Sequence, residues 1–320
     1  METDRNTKGN ARKKWQLTVL IFLTILCLFI IFTMAINSRK PDRITLGNMD
    51  MDIKGGAFIR SNQILIKQLY MNWLPNDLFW PTVLLDNMPN FQRGELEVVR
   101  YNMRVLRDNL SRMRTTDKLD PLAESAFSAL SNDPLKWWFP SAESKWKAAH
   151  KDLGIIYQNL STGKSHFYPR ADNLAELLNQ YASLMGGANT RLINAPPDIK
   201  ETPAMEAETE DSPSGKKMVD INIPWNKIDD NFYYGQGIAY ALHESFKAIR
   251  IDFIDILKDK NSLNLVDKII EDLRRCDFEP MIVFNGDLGS VFANHSLNLS
   301  GVFNDARQKV NSLIVSLKIG

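Results

Sequence analysis

Hydrophobic positions recur at helical spacing along most of this chain, and one stretch is apolar throughout. Residues 15–36 are 22 consecutive residues without a charge, and they follow the basic run Arg12-Lys13-Lys14. As a helix this stretch would be about 33 Å long, which is enough to cross the ~30 Å hydrocarbon core of a bilayer. The pattern therefore predicts a transmembrane helix over 15–36.

A cleaved signal peptide is the main alternative, because it also begins with basic residues. Its apolar region is normally only about 7–15 residues long and ends at small residues of the A-x-A type. Here the apolar run is longer and ends in Thr33-Met34-Ala35-Ile36-Asn37. We therefore expect the segment to be retained as an anchor.

Flanking cations predict the orientation of this anchor. Five cations precede it: Arg5, Lys8, Arg12, Lys13 and Lys14, the last three directly at its start. Four follow it: Arg39, Lys40, Arg43 and Lys54. Because cytoplasmic flanks of membrane helices carry excess Lys and Arg, we expect a cytoplasmic N-terminus at 1–14. The domain after the anchor would then be periplasmic, and the membrane the bacterial inner membrane.

Amphipathic helices are predicted for most of the remaining chain. In the clearest one, 93–114, apolar residues alternate at spacings of three and four, which keeps them on one helix face. Further helices are predicted over 143–160, 235–260 and 300–317, with shorter ones over 60–73, 120–131, 171–185 and 263–275. The expected fold class is all-α: an N-terminal single transmembrane helix followed by a multi-helix bundle.

Two segments differ from this pattern. Residues 37–57 are polar and glycine-containing, and we interpret them as a juxtamembrane linker before a periplasmic helical domain at 58–320. Residues 196–217 hold four prolines, six acids and no aromatic residue, so they have too little apolar surface to offset the entropy of ordering. This predicts a disordered acidic loop. It could separate two domains or interrupt one bundle; we favour one bundle, because its shorter half buries more surface when packed on the other.

Composition narrows the possible functions. The formal net charge is +1, which gives no electrostatic support for a nucleic-acid partner. Cys27 lies within the predicted span and Cys276 far beyond it, so the two cysteines are not expected to pair, and the domain must be stable by packing alone.

Catalytic motifs are incomplete in this sequence. His243-Glu244 begins like the HExxH zinc helix, but position 247 is Lys, so the second ligand is missing. The other histidines lack ligand spacing, and the Ser-x-x-Lys matches at 144 and 214 lack the accompanying K-T-G motif. We expect His243 and Glu244 on a helix surface, and we predict no catalytic residue, metal site or cofactor.

An arginine row on helix 93–114 has two interpretations. Arginines recur every seven residues at 93, 100, 107 and 114, and such a row could bind carboxylates or phosphates. It could equally flank a helix–helix seam and meet acids of a neighbouring helix, for which Asp252, Asp255 and Asp259 are available. Arg100 and Arg107 are therefore candidate binding residues.

Aromatic residues, prolines and short polar residues mix at 73–94. The prolines exclude a long regular helix, so we predict a structured loop. It could form a binding surface, or an aromatic plug that caps the bundle, and 133–146 has the same character. The candidate binding residues of the loop are Trp73, Asn76, Asp77, Trp80, Asp86 and Asn87.

The anchor and the segments WLPNDLFWPTVLLDNMPNFQRG and LKWWFPSAESKW together resemble a family of uncharacterised bacterial inner-membrane proteins, domain of unknown function twenty-three thirty-three. The resemblance covers nearly the whole chain and implies a Gram-negative envelope protein. It implies no catalytic residues.

Two functions are left open by the sequence. The leading hypothesis is a non-enzymatic envelope interaction or scaffolding protein, held in the membrane by 15–36 and binding an envelope protein or cell-wall partner. The alternative is a periplasmic enzyme or ligand-binding sensor with a pocket near 73–94, in which Asp77 and Asp86 would do acid–base chemistry if they converge.

Overall fold

A computed structural model describes residues 2–78, 80–114, 116–193, 202–203, 218–219, 227–280, 283–284 and 293–319, with side chains from Lys14 onward except at 202–203 and 218–219. These ranges contain eleven α-helices and one two-residue β-ladder, which confirms the predicted all-α class. The helices are α1 Glu2–Asn37, α2 Asn48–Asp52, α3 Gly56–Met71, α4 Asn87–Val105, α5 Pro121–Leu130, α6 Ala142–Thr162, α7 Ala171–Ile193, α8 Ile228–Asp252, α9 Ile254–Asp259, α10 Leu263–Arg275 and α11 His295–Lys318.

The short ladder pairs β1 Thr202–Pro203 with β2 Met218–Val219 in antiparallel register. Apart from β1, the segment 196–217 that was predicted as a disordered acidic loop lies outside the described residues. Elements from both sides of that segment share one hydrophobic core.

Helix α4 begins earlier than its periodicity predicted. The loop predicted over 73–94 ends at Asp86, because the helix starts at Asn87 and includes Pro89. Proline is tolerated there because the first-turn N–H groups of a helix have no intrahelical partner to lose. At the other end, α4 passes into a π-helical turn at Leu106–Leu110.

Helix α1 contains the predicted anchor. The most apolar 18-residue window within Lys14–Asn37 has a mean hydropathy of 3.1, and none of its residues is buried in the described chain. The helix is therefore long and apolar enough to cross a membrane, as predicted.

Helix α8 is central to the bundle and packs against α3, α4, α7, α10 and α11. Its crossing with α4 is close enough for backbone contact at two glycines. A Cβ atom on Gly237 would lie 1.9 Å from the carbonyl oxygen of Phe91, and one on Gly94 would lie 2.2 Å from that of Tyr234. The small size of these two residues therefore sets the distance between the two helices.

A buried polar network adds specificity to this core. The Asn102 amide donates to Asn62 Oδ1 at 2.8 Å and to Ser245 Oγ at 3.0 Å, and the Tyr181 hydroxyl donates to Asn102 Oδ1 at 2.5 Å. The four side chains come from α3, α4, α7 and α8. Because an unpaired polar group in a core is costly, this network favours one arrangement of these helices.

Asp252 does not pair with the arginine row, so that expectation was wrong. Its carboxylate accepts the backbone N–H of Gly55 at 3.0 Å and of Phe58 at 2.6 Å, and it thereby caps the start of α3. Burial raises the pKa of Asp252 to about 7, although these N–H groups and that of Ala57 favour the ionised form.

We predict that Gly237→Ala destabilises the bundle by about 1–3 kcal/mol or more, because the added methyl group meets backbone that cannot move independently. Denaturation of the full chain in detergent micelles, followed by circular dichroism, measures this. The matched control is Gly187→Ala in α7, where a Cβ meets no described atom within 4 Å; it should gain up to about 1 kcal/mol. Equal effects at the two sites would contradict the close crossing.

A second prediction concerns pH. Between about pH 4 and pH 7 the folded chain keeps a proton on Asp252 that the unfolded chain has released. The free energy of unfolding should therefore fall through this group as pH rises, by up to about 1.4 kcal/mol per pH unit. Asp252→Asn cannot ionise, so its pH profile should lack this decline. Parallel profiles for the wild type and the variant from pH 4 to 8 would contradict the assignment.

Candidate functional site

Residues 38–47, which we call the strap, connect α1 to the bundle by lying along α3 and α8. The carbonyl oxygen of Asp42 accepts the Tyr240 hydroxyl at 2.7 Å and the Gln68 amide at 3.3 Å. Ile44 is buried, and its carbonyl oxygen accepts Lys247 Nζ at 2.7 Å. The segment 37–57, predicted as a linker, thus includes a stretch with specific contacts to the bundle.

Glu244 lies beneath the strap and is 1% exposed. His243 Nδ1 lies 2.9 Å from its Oε1, Lys247 Nζ donates to its Oε2 at 2.8 Å, and Arg43 of the strap approaches to 3.7 Å. Burial alone would raise the pKa of Glu244, but the hydrogen bonds from His243 and Lys247 outweigh it and lower the pKa. The expectation that His243 and Glu244 lie on a helix surface was therefore wrong.

A second acid ties the strap to the end of α10. Lys40 Nζ lies 2.9 Å from Asp277 and Arg43 Nη2 lies 2.6 Å from it. Burial opposes ionisation of Asp277, yet these two cations hold its pKa below the usual value. Sequence reasoning counted Lys40 and Arg43 only as flanking charges; in the structure they bind acids that follow more than two hundred residues later.

The strap places the end of α1 near one end of the bundle. Asp42 contacts Gln68, close to the last residue of α3, and five residues of extended chain reach at most about 18 Å from Asn37. Helix α1 also contacts the 3₁₀ turn Thr82–Leu84. We call this the anchor end of the bundle; the loops after α3 and after α5 lie there.

Trp73 and Asn76 join these two loops. Trp73 is buried: its Nε1 donates to the carbonyl oxygen of Pro134 at 2.8 Å, and its ring packs edge-on against Trp146 with 4.6 Å between centroids. The Asn76 amide donates to Glu143 Oε1 at 2.8 Å. Both side chains therefore make their contacts within the fold and join the two loops.

Trp80, in contrast, is 53% exposed and belongs to an apolar surface. We call this surface the aromatic face. It consists of eight large exposed side chains contributed by the two loops: Leu78, Trp80, Val83, Leu84, Leu135, Trp137, Trp138 and Phe139.

Asp77, Asp86 and Asn87 have different surroundings. Asp77 is half-buried in a turn where its N–H donates to the Leu74 carbonyl oxygen. Asp86 caps α4 by accepting the N–H of Asn87, which is itself exposed.

The Asp86 carboxylate lies with those of Asp229 and Asp230, their oxygens within 4.8 Å of one another. Burial, and then the neighbouring acids, raise the pKa of Asp230, whose Oδ1 accepts the Asn90 amide at 2.6 Å. Within the described chain this trio is the group of carboxylates with the spacing to hold a divalent cation.

Arg100 and Arg107 bind α5 rather than a distant helix. Arg100 donates to the carbonyl oxygens of Leu130 at 2.9 Å and Asn132 at 2.7 Å, so it caps the end of α5. Arg107 pairs with Asp108 and lies 3.5 Å from Glu124, with its guanidinium 3.9 Å from the Phe127 ring centroid. These contacts are those expected of a helix–helix seam.

Glu95 is a further buried acid that sequence reasoning missed. It lies on α4, and burial raises its pKa well above the usual value. Its Oε1 accepts no hydrogen bond from the described residues. Its residue type gives no indication of this burial, because acidic side chains are normally exposed.

Comparison with known proteins gives a family and no individual relative. Searches of the curated proteins and of the solved structures find no match to this chain. The model of one family, described as an uncharacterized protein conserved in bacteria, matches residues 10–318, which include the anchor, the strap, both aromatic loops and α11. The chain therefore belongs to the bacterial family DUF2333.

Proposed function

We propose that this protein is a single-pass inner-membrane protein that holds a helical bundle in the periplasm as an interaction or scaffolding module of the envelope. The apolar helix in α1 supports the anchor, and the basic run before it supports a cytoplasmic N-terminus. The strap is the observation that carries the proposal. It binds the bundle through ion pairs and a buried residue, so the domain is held at a defined place relative to the anchor.

The polar groups around the strap and loops also favour an interaction module. Glu244, Asp277, Arg100 and Arg107 each bind neighbouring groups of the fold. A scaffold needs such internal bonding, because it presents a rigid surface to a partner. The partner itself is expected to be an envelope protein or a cell-wall component.

The enzyme or sensor alternative stays a prediction. It requires Asp77 and Asp86 to act together, whereas the spatial neighbours of the Asp86 carboxylate are Asp229 and Asp230. An assay of the purified full chain for hydrolysis of envelope substrates addresses it directly.

Reporter fusions to the C-terminus test the topology. Alkaline phosphatase, which folds only after export, should be active there, and a fluorescent protein that requires the cytoplasm should be dark. Intact-mass measurement of the membrane fraction should find the N-terminal 36 residues still attached. A fluorescent fusion would contradict the orientation, and a soluble chain that begins after the apolar helix would contradict the anchor.

Crosslinking in intact cells then tests the interaction role. A photoreactive residue at exposed Arg104 should give a discrete product of higher mass that contains one envelope component, and the same residue at Leu257, which is buried, serves as the control. Absence of any product, combined with hydrolase activity of the full chain, would favour the alternative.

A further inference from the structure

The aromatic face needs a partner because of its size and composition. Phe139 is 88% exposed and Trp138 67%, and three of its eight side chains are tryptophans. Large apolar side chains that are exposed together on a folded protein mark sites that bind proteins, ligands or membranes.

The exposed side chains stand on a fixed support. The two loops are joined by the Trp73–Pro134 hydrogen bond, by the Asn76–Glu143 hydrogen bond and by the packing of Trp73 on Trp146. Trp146 also donates to Asn132 Oδ1 at 2.8 Å, which secures the start of the second loop. The bases of the two loops are therefore held together, which keeps the exposed side chains of both loops at the same end of the bundle.

Its place in the fold identifies the partner. The aromatic face lies at the anchor end. There Asp42, which follows α1 closely in the chain, contacts Gln68 near the end of α3. The turn that carries Val83 and Leu84 contacts α1 itself. Any bilayer crossed by α1 therefore begins next to this surface.

The composition of the aromatic face fits a lipid surface. Tryptophan is enriched where membranes meet water, because its ring is apolar and its N–H can still be hydrated. Lys136 is exposed between Leu135 and Trp137, and a cation at this position would favour anionic headgroups.

We infer that the aromatic face inserts into the headgroup region of the same bilayer that holds α1, so that the bundle rests on the membrane. This inference rests on the proposed anchoring role of α1. The aromatic face thus binds the lipid surface, and the test below distinguishes this from binding of a partner protein or of a second copy of the chain.

Depth measurements on the full chain in nanodiscs of phosphatidylethanolamine and phosphatidylglycerol test it. An environment-sensitive fluorophore is attached to Val83→Cys or Trp138→Cys in a Cys27→Ala background. Burial raises the pKa of the remaining Cys276 thiol to about 12, so this thiol should not be labelled. The control is Val315→Cys on α11, which is 56% exposed and lies near Lys260 at the opposite end of the bundle.

Labels at 83 and 138 should be quenched at least threefold more strongly by nitroxide-bearing lipid than the label at 315, and iodide should quench them less. Labels at 83 and 138 that are as open to iodide as the control would overturn the inference, and so would iodide protection that occurs only with two chains per disc. Circular dichroism checks folding, and Leu84→Cys replaces a variant that does not fold. A chain that leaves the disc refutes the anchor instead, which separates the two failures.

Discussion

The buried carboxylate of Glu244 is the constraint on which the arrangement of this protein depends. A carboxylate removed from water is strongly destabilising unless it is paired and hydrogen-bonded. His243 and Lys247 supply two partners from α8, and Arg43 approaches from the strap. Lys247 also donates to the carbonyl oxygen of Ile44 in the strap, so the cation that neutralises Glu244 also holds the strap on α8.

Other features extend this attachment through the bundle. Lys40 and Arg43 bind Asp277 at the end of α10, while Tyr240 of α8 binds the strap backbone. Helix α8 in turn meets α4 at the glycine crossing. A displacement of the strap would therefore disturb the centre of the fold, so we regard the anchor and bundle as one mechanical unit.

The sequence predicted the helices well where apolar periodicity was strong. The segment predicted over 143–160 is α6, and that over 300–317 lies within α11. The prediction placed the start of α4 too late because Pro89 reads as a helix breaker, although proline is compatible with a first turn. The effect of a proline depends on its position within a helix, and apolar periodicity alone does not show where a helix begins.

The candidate site was less predictable because its contacts join residues that are distant in sequence. Trp80 is exposed while Trp73, seven residues earlier, is buried, and no local pattern separates them. The sequence identifies Arg100 and Arg107 as a pair, but their partners lie on α5. Because α5 meets α4 only in the folded chain, the sequence alone could not distinguish a helix–helix seam from a ligand site. The strap was missed for the same reason, because its acids lie in α8 and after α10.

The distance between the anchor and the bundle shows directly whether the strap fixes one to the other. Spin labels at Ser38→Cys and Met71→Cys of the full chain in nanodiscs, with Cys27 replaced by alanine, report this distance by pulsed electron resonance. We expect one narrow distribution at no more than about 30 Å, which broadens when Lys40 and Arg43 are both replaced by alanine. A broad distribution in the chain with an intact strap would instead show that the strap is a flexible tether.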